Sequence, residues 1–178
     1  LETPNGGDIN GDGKISYIMV QGDPENIDAQ LRTEYSVKAL TDAGKEVEEL
    51  NLTRGDWMRE RGQEIVANDL AQFGAQVEVV FCNNDDMAIG ALQSIQAAGR
   101  KVNEDIYLVG VDALDAALNE VSNGNMTGTV LNDAVGQATA AVEQMEALLG
   151  GKTFASGEQS VYVDYVKVTP DNVAGFMG

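Results

Sequence analysis

The chain has 178 residues, 43% of them hydrophobic and only three of them proline, which suits one compact domain with a real core and argues against disorder. A net charge of −18 argues against nucleic acid and anionic membranes as partners. With no histidine, Ser-His-Asp and Cys-His catalysis and most zinc sites are excluded, and the single cysteine, Cys82, cannot form an internal disulfide.

No apolar run approaches transmembrane length. The opening, Leu1-Glu2-Thr3-Pro4-Asn5-Gly6-Gly7, is not a signal peptide and is expected to lie inside a longer protein. The run Asp8-Ile9-Asn10-Gly11-Asp12-Gly13-Lys14-Ile15-Ser16 is oxygen-rich, with glycine at its sixth position. Ca²⁺ takes six to eight oxygen ligands. Side chains at positions 1, 3 and 5 converge only if the chain turns sharply, and Gly13 supplies the turn. Lys14 offers its carbonyl, and Ser16 a hydroxyl. Met19 stands where an EF-hand needs a bidentate Glu, so the loop is a ligand short. The competing reading is an Asx-rich turn that binds nothing; a dockerin repeat would need a second copy, which the chain lacks.

Ser16 to Gln21 is apolar and reads as a buried strand, so the loop opens a strand rather than a helix. A helix is expected from Ile27 to Ala43, with Gly44 as its stop, then a strand over Glu46–Leu52. Asp56 is placed as the cap of a helix running to Phe73. Val77–Cys82 is the clearest buried strand, and Cys82 within it reads as a buried structural thiol. A helix follows from Asp85 to Ala98, a strand over Ile106–Val111 and a helix from Ala113 to Val121. Thr127–Leu131 is a short strand. The helix Ala134–Leu149 ends at Gly150-Gly151, and Ser160–Val168 alternates as a half-buried strand.

Strands alternating with helices imply a doubly wound, Rossmann-like α/β fold whose mostly parallel sheet is covered on both faces. Ligands bind such sheets at the carboxyl ends of the strands. Polar residues gather there: Asp23 to Arg32, Asn83-Asn84-Asp85-Asp86, Asp112 and Asn132-Asp133. Asp, Asn and Arg without histidine suit neutral polyhydroxylated ligands, whose hydroxyls donate and accept. Trp57, the sole tryptophan, can stack on the C–H face of a sugar. Helix capping competes for each Asx singly, since Asp85, Asp112 and Asn132 all precede helices.

These segments resemble the C-terminal lobe of the periplasmic galactose/glucose-binding proteins, type I solute-binding proteins of ABC transport. The likeness is carried by Asp8-x-Asn10-x-Asp12-Gly13, Gly22-x-Pro24-x-x-x-Asp28-Ala29-x-x-Arg32, Glu78-Val79-Val80 and Asn83-Asn84-Asp85-x-Met87-Ala88-x-Gly90-Ala91. It continues through Gly110-Val111-Asp112-Ala113-Leu114, Gly128-Thr129-Val130-Leu131-Asn132-Asp133-Ala134 and Tyr165-Val166-x-Val168. It spans nearly the whole chain. The resemblance implies a Ca²⁺ site on Asp8, Asn10, Asp12, Lys14, Ser16 and Glu78, with Glu78 as the missing carboxylate. It implies sugar ligands at Asn26, Asp28, Arg32, Asn84, Asp112 and Asn132, with Trp57 as a stacking platform. Ser16 and Asn26 depart from the family's usual Gln and His.

The resemblance also implies a non-enzymatic receptor lobe for a hexose, glucose or galactose, holding half of a two-lobed cleft. Its partners would be a missing N-terminal lobe, an ABC transporter permease and a chemoreceptor. Its location would be periplasmic or extracellular, as a free protein or a lipoprotein. The chain reads as a single C-terminal lobe, residues 1–178. Residues 134–162 would form the crossing to the other lobe. The stripe Val135, Ala138, Val142, Met145 and Leu149 is expected either to repack or to bury itself in a homodimer. The alternatives are the effector domain of a sugar-responsive regulator, a receptor for another sugar or a quorum signal, and a carboxylate-pair enzyme.

Overall fold

The computed structural model describes residues 4–153 and 160–177. Eleven main elements follow in chain order: β1 (Lys14–Gln21), α1 (Ile27–Asp42), β2 (Glu46–Arg54), α2 (Arg59–Phe73), β3 (Val79–Cys82), α3 (Asp85–Ala97), β4 (Tyr107–Val109), α4 (Asp115–Ser122), β5 (Thr129–Leu131), α5 (Ala134–Leu149) and β6 (Val166–Val168). The first four strands form a parallel sheet in the order β2-β1-β3-β4. The order reverses between β1 and β3, and their carboxyl ends open a crevice there.

Alternation along β1 explains the two cores. Ile18 and Val20 point to the larger core with Val80 and Cys82, covered by Ile65 and Val66 of α2, Met87 and Ile95 of α3, and Leu118 of α4. Ile15, Tyr17 and Met19 point to the opposite face with Val79, Phe81, Tyr107 and Leu40 of α1. Helices thus cover both faces, as the alternating pattern predicts. Cys82 is buried, and burial pushes its thiol well above the ordinary range, as a structural cysteine requires.

Four boundaries differ from expectation. Asp56 does not cap α2: Asp56 and Trp57 lie at positive φ (52° and 66°) and Met58 holds the N-cap position. α4 begins at Asp115 rather than Ala113, because Asp112 and Ala113 also lie at positive φ, 125° and 58°. β5 joins the parallel sheet only through bridges of Gly128 to Val109 and Leu131 to Asp112, and pairs antiparallel with β6. Of the expected tail strand only Val166–Val168 is a strand, and residues 160–165 run as irregular chain.

α5 has no buried residue, and Val135 (76%), Val142, Met145 and Leu149 (83%) are exposed. Its stripe has therefore not repacked onto this fold. Part of the segment 134–162, and the first three residues of the opening, fall outside the described residues.

Candidate functional site

The crevice is organised around Arg32. Its place on α1, after the β1 carboxyl end, lets the guanidinium reach across the sheet. Nη1 donates to the Asn83 carbonyl (2.8 Å) and to Asp112 Oδ1 (3.2 Å). Nη2 donates to the Tyr165 hydroxyl (3.4 Å). The guanidinium carbon lies 5.7 Å from the Trp57 ring and 5.9 Å from the Tyr165 ring, within cation–π range of both. Arg32 Nε is buried and has no hydrogen-bond partner among the described residues. Native proteins rarely leave such a donor unmet, so it marks a place where an acceptor belongs.

Trp57 is held by its backbone and by its underside. Its left-handed conformation turns the indole over Gly22, where an added Cβ would lie 2.3 Å from the ring. Its carbonyl accepts from Asn84 Nδ2 (3.2 Å). Asp112 leaves β4 beside Asn132, whose backbone amide donates to the Asp112 carbonyl (3.5 Å). Burial raises the Asp112 carboxyl, while Arg32 and the Asn132 side chain pull it back down.

The expected residues fall into two groups. Arg32, Trp57, Asp112 and Asn132 converge at the crevice. Asp28 lines an adjoining cavity of about 330 Å³ with Arg32, Tyr165, Val111 and Val130. Asn26 and Asn84 are engaged as helix caps: Asn26 Oδ1 accepts the Asp28 amide (2.7 Å) and Asn84 Oδ1 the Met87 amide (3.0 Å). Asn84 still has a free amide hydrogen to offer. Three residues to which the sequence reading gave no ligand role also belong to the site. Tyr165 stacks on Arg32 from the far end of the chain, and no local signal marks it. Asn83 Oδ1 accepts the Gly22 amide (3.0 Å) and the Thr33 hydroxyl (3.2 Å), fixing the turn under Trp57. Asp85 lies buried beneath Asp112; the Asn-Asn-Asp-Asp run was the available clue for both.

The second site is the loop before β1. Asp8 Oδ1 accepts the Gly11 and Asp12 amides and its Oδ2 the Gly13 amide. Asn10 Oδ1 accepts from the Asp12 amide and Asp12 Oδ1 from the Lys14 amide. Glu78, only 1% exposed, turns both carboxylate oxygens to this segment: Oε1 accepts the Ile9 (2.6 Å) and Asn10 (2.9 Å) amides, and Oε2 the Ser16 amide (2.8 Å). Among the described residues no cationic side chain pairs with Glu78, a costly placement for a charge. The Ser16 hydroxyl leans toward Glu48 (3.4 Å), and Lys14 pairs with Glu48 (2.6 Å). Among the described residues no three acidic or thiol groups already converge as a metal cage. Asp8 Oδ1 and Glu78 Oε1 each already accept two amides, whereas Asp8 Oδ2, Asn10 Oδ1, Asp12 Oδ1 and Glu78 Oε2 accept one each and keep a lone pair that a hard cation could use.

The parallel sheet and the polar crevice at its switch point are those of an α/β ligand-binding lobe. The chain belongs to the periplasmic binding protein family: residues 7–153 match the periplasmic binding protein domain. It is 37% identical to the D-galactose/methyl-galactoside binding periplasmic protein of Haemophilus influenzae, over 96% of this chain and 52% of that protein. It is 34% identical to a putative rhizopine-binding protein of Rhizobium meliloti, over 94% of this chain and 53% of that protein. The chain spans about half the length of these curated relatives. Among solved structures, a solute-binding protein of Bacillus halodurans with bound myo-inositol superposes with a TM-score of 0.77 at 27% identity, covering 91% of this chain and 53% of that one. A periplasmic solute-binding protein of Actinobacillus succinogenes with bound D-allose gives 0.81 at 21% identity, over 96% and 59%, a likeness of fold.

Proposed function

We propose that this chain is one lobe of an extracytoplasmic sugar receptor that delivers a hexose, galactose or glucose, to an ABC-type importer. The observation that carries this proposal is the buried, unpartnered Nε of Arg32. It sits beside Asp112 and under the Trp57 ring, so a bound hydroxyl or ring oxygen can accept from Arg32 while another donates to Asp112. Trp57 offers a flat face to the apolar side of the sugar, and Asn132 and Asp28 flank the cleft. The 37% identity to a protein named for D-galactose binding favours a hexose. A receptor binds and releases without chemistry, so no catalytic residue is assigned.

In this proposal the second half of the cleft comes from another lobe, and residues 134–162 form the crossing to it; the unburied face of α5 supports that use. The loop of Asp8, Asn10, Asp12, Lys14 and Ser16, with Glu78, would hold a structural Ca²⁺, supplying charge to offset the buried Glu78 and tying the entry of β1 to the start of β3. Titration calorimetry with D-galactose, D-glucose, D-ribose and myo-inositol, on the protein carrying both lobes, tests the sugar. Tightest binding to a hexose, lost in Asp112→Ala and Asn132→Ala, is expected; tightest binding to myo-inositol or ribose would replace the hexose assignment.

A further inference from the structure

Asp85 opens α3 directly beneath the cleft and is 0% exposed. Among the described residues no cationic side chain pairs with its carboxylate. Oδ1 accepts the Thr129 hydroxyl (2.7 Å) and Oδ2 the Leu114 amide (2.9 Å). The Thr129 hydroxyl in turn accepts the Ala113 amide (3.3 Å), and the Asp85 amide donates to the Val111 carbonyl (2.8 Å). Gly110 lets the chain approach this closely, since a Cβ there would stand 2.3 Å from Asp85 Oδ1. Most of these contacts fall on residues 110–114, the segment that carries Asp112. That segment holds two consecutive non-glycine residues at positive φ. Such a turn persists only when its surroundings over-determine it.

We propose that Asp85 is a positioning residue for the sugar cleft, whose ionised carboxylate fixes the 112–114 turn and so aims Asp112 at the ligand. The proposal rests on Asp112 being a sugar ligand, as set out above. A neutral acid would turn a donor toward a site that already holds two donors, the Leu114 N–H and the Thr129 O–H. Burial pushes the Asp85 carboxyl up to about 6, helped by the charge of Asp112 and opposed by the Thr129, Leu114 and Ala113 hydrogen bonds. The other ionisable groups nearby are the Cys82 thiol on β3, Asp86 on α3 paired with Arg59 of α2, and Arg32 of α1 acting through Asp112. Ligand affinity therefore weakens as pH falls through about 6.

The test is an NMR study of the labelled 178-residue chain with D-galactose as probe, which tolerates weak binding. It reads amide exchange at Ala113 and Leu114, the Asp85 carboxyl titration and the Asp112 amide shifts. In Asp85→Asn the two amides should exchange about tenfold faster and galactose bind about tenfold more weakly near neutral pH, the effect of one lost hydrogen bond to a charged group. The part of the acid-side loss centred near pH 6 should vanish, leaving only that of Asp112, while the melting temperature stays equal to or above that of the unchanged chain. Thr129→Val removes the donor to Oδ1 with little change of shape, and should move the midpoint of the pH profile upward. Wild-type exchange and affinity in Asp85→Asn would overturn the proposal, as would an unmoved midpoint in Thr129→Val. If the unchanged chain, holding half of the cleft, shows no galactose binding, the hexose assignment is decided by the calorimetry on the two-lobed protein, and the exchange rates and the carboxyl titration decide whether Asp85 holds the turn. If Asp85→Asn does not fold, the Thr129→Val midpoint decides.

Discussion

Arg32 reaches from α1 to Asp112 beyond β4, 80 positions along the chain, and holds it at 3.2 Å. Removing the guanidinium leaves a half-buried carboxylate with no cationic partner among the described residues, held only by hydrogen bonding from Asn132. In Arg32→Met the Asp112 carboxyl should rise further, because the attraction that opposes its burial is gone. Carboxyl ¹³C titration would show it, and an unchanged Asp112 titration would refute the coupling. Sugar affinity should fall about tenfold or more, the worth of hydrogen bonds to a charged group.

Glu78 and the Asp8–Ser16 loop make the calcium proposal measurable. A micromolar site at about a thousandfold excess of Ca²⁺ adds about 4 kcal/mol to folding stability. For a chain of this size that is a rise of roughly 10 °C in melting temperature. Glu78→Gln should abolish the calcium-dependent part of the rise. It should also weaken the metal-free protein, since an amide would turn a donor toward one or more of the Ile9, Asn10 and Ser16 amides. A melting temperature indifferent to calcium and chelator would sink the metal site.

Stability should carry the imprint of Asp85. Its folded pKa, about 6, lies above its ordinary value of 3.8. Between about pH 4 and 6 the folded state therefore binds more protons than the unfolded state, and stability falls as pH rises through that window. The loss is up to about 3 kcal/mol and is complete above the folded pKa. Asp112, also raised, acts in the same direction. The difference between the chain and Asp85→Asn isolates the Asp85 share: urea melts at pH 4, 5, 6 and 7 should show the variant gaining relative stability as pH rises. A flat difference would mean that Asp85 is not titrating in this window.

The strand and helix order was legible because a short, wholly apolar run marks Val79–Cys82 and helical spacing of apolar residues marks α3. Arg32, Trp57, Asp112 and Asn132 were legible as a cluster because the fold class places strand ends together. The turns at Asp56-Trp57 and Asp112-Ala113 were not. Neither pair contains glycine, so its positive φ is imposed by distant partners, Gly22 and Asn84 in one case and Asp85 and Thr129 in the other. Glu78 meets the loop across 68 and 69 positions, a pairing that came from the family resemblance and not from local pattern. Tyr165 lies beyond a helix and an irregular stretch, and nothing local ties it to Arg32.

The exposed face of α5 should make the isolated chain sticky. Val135, Val142, Met145 and Leu149 form one stripe with no cover among the described residues. Burying such a stripe in a second copy would remove apolar surface worth about 25 cal/mol per Å². Sedimentation should show concentration-dependent dimers, and Val142→Glu with Met145→Glu should return a monomer without lowering the melting temperature. A chain that stays monomeric at high concentration would count against self-association.

The contact of α2 with α3 carries the last expectation, because it links packing to the cleft. Two glycines let the helices touch backbone to backbone. A Cβ on Gly62 of α2 would stand 2.3 Å from the Met87 carbonyl oxygen, and one on Gly90 of α3 would stand 2.0 Å from the Arg59 carbonyl oxygen. Neither obstacle is a side chain that can swing away, so the helices must separate. Overpacking of this kind costs about 1–3 kcal/mol or more, a fall of roughly 5–10 °C in melting temperature for Gly90→Ala. Arg59 is the first residue of α2, two positions after Trp57, so the displacement falls on the segment that aims the indole. Gly90→Ala should therefore weaken sugar binding as well as folding, although it touches no ligand. Gly175→Ala, with nothing within 4 Å of the added carbon, is the control and should change neither. A Gly90→Ala protein with unaltered stability would show that the two helices have slack between them.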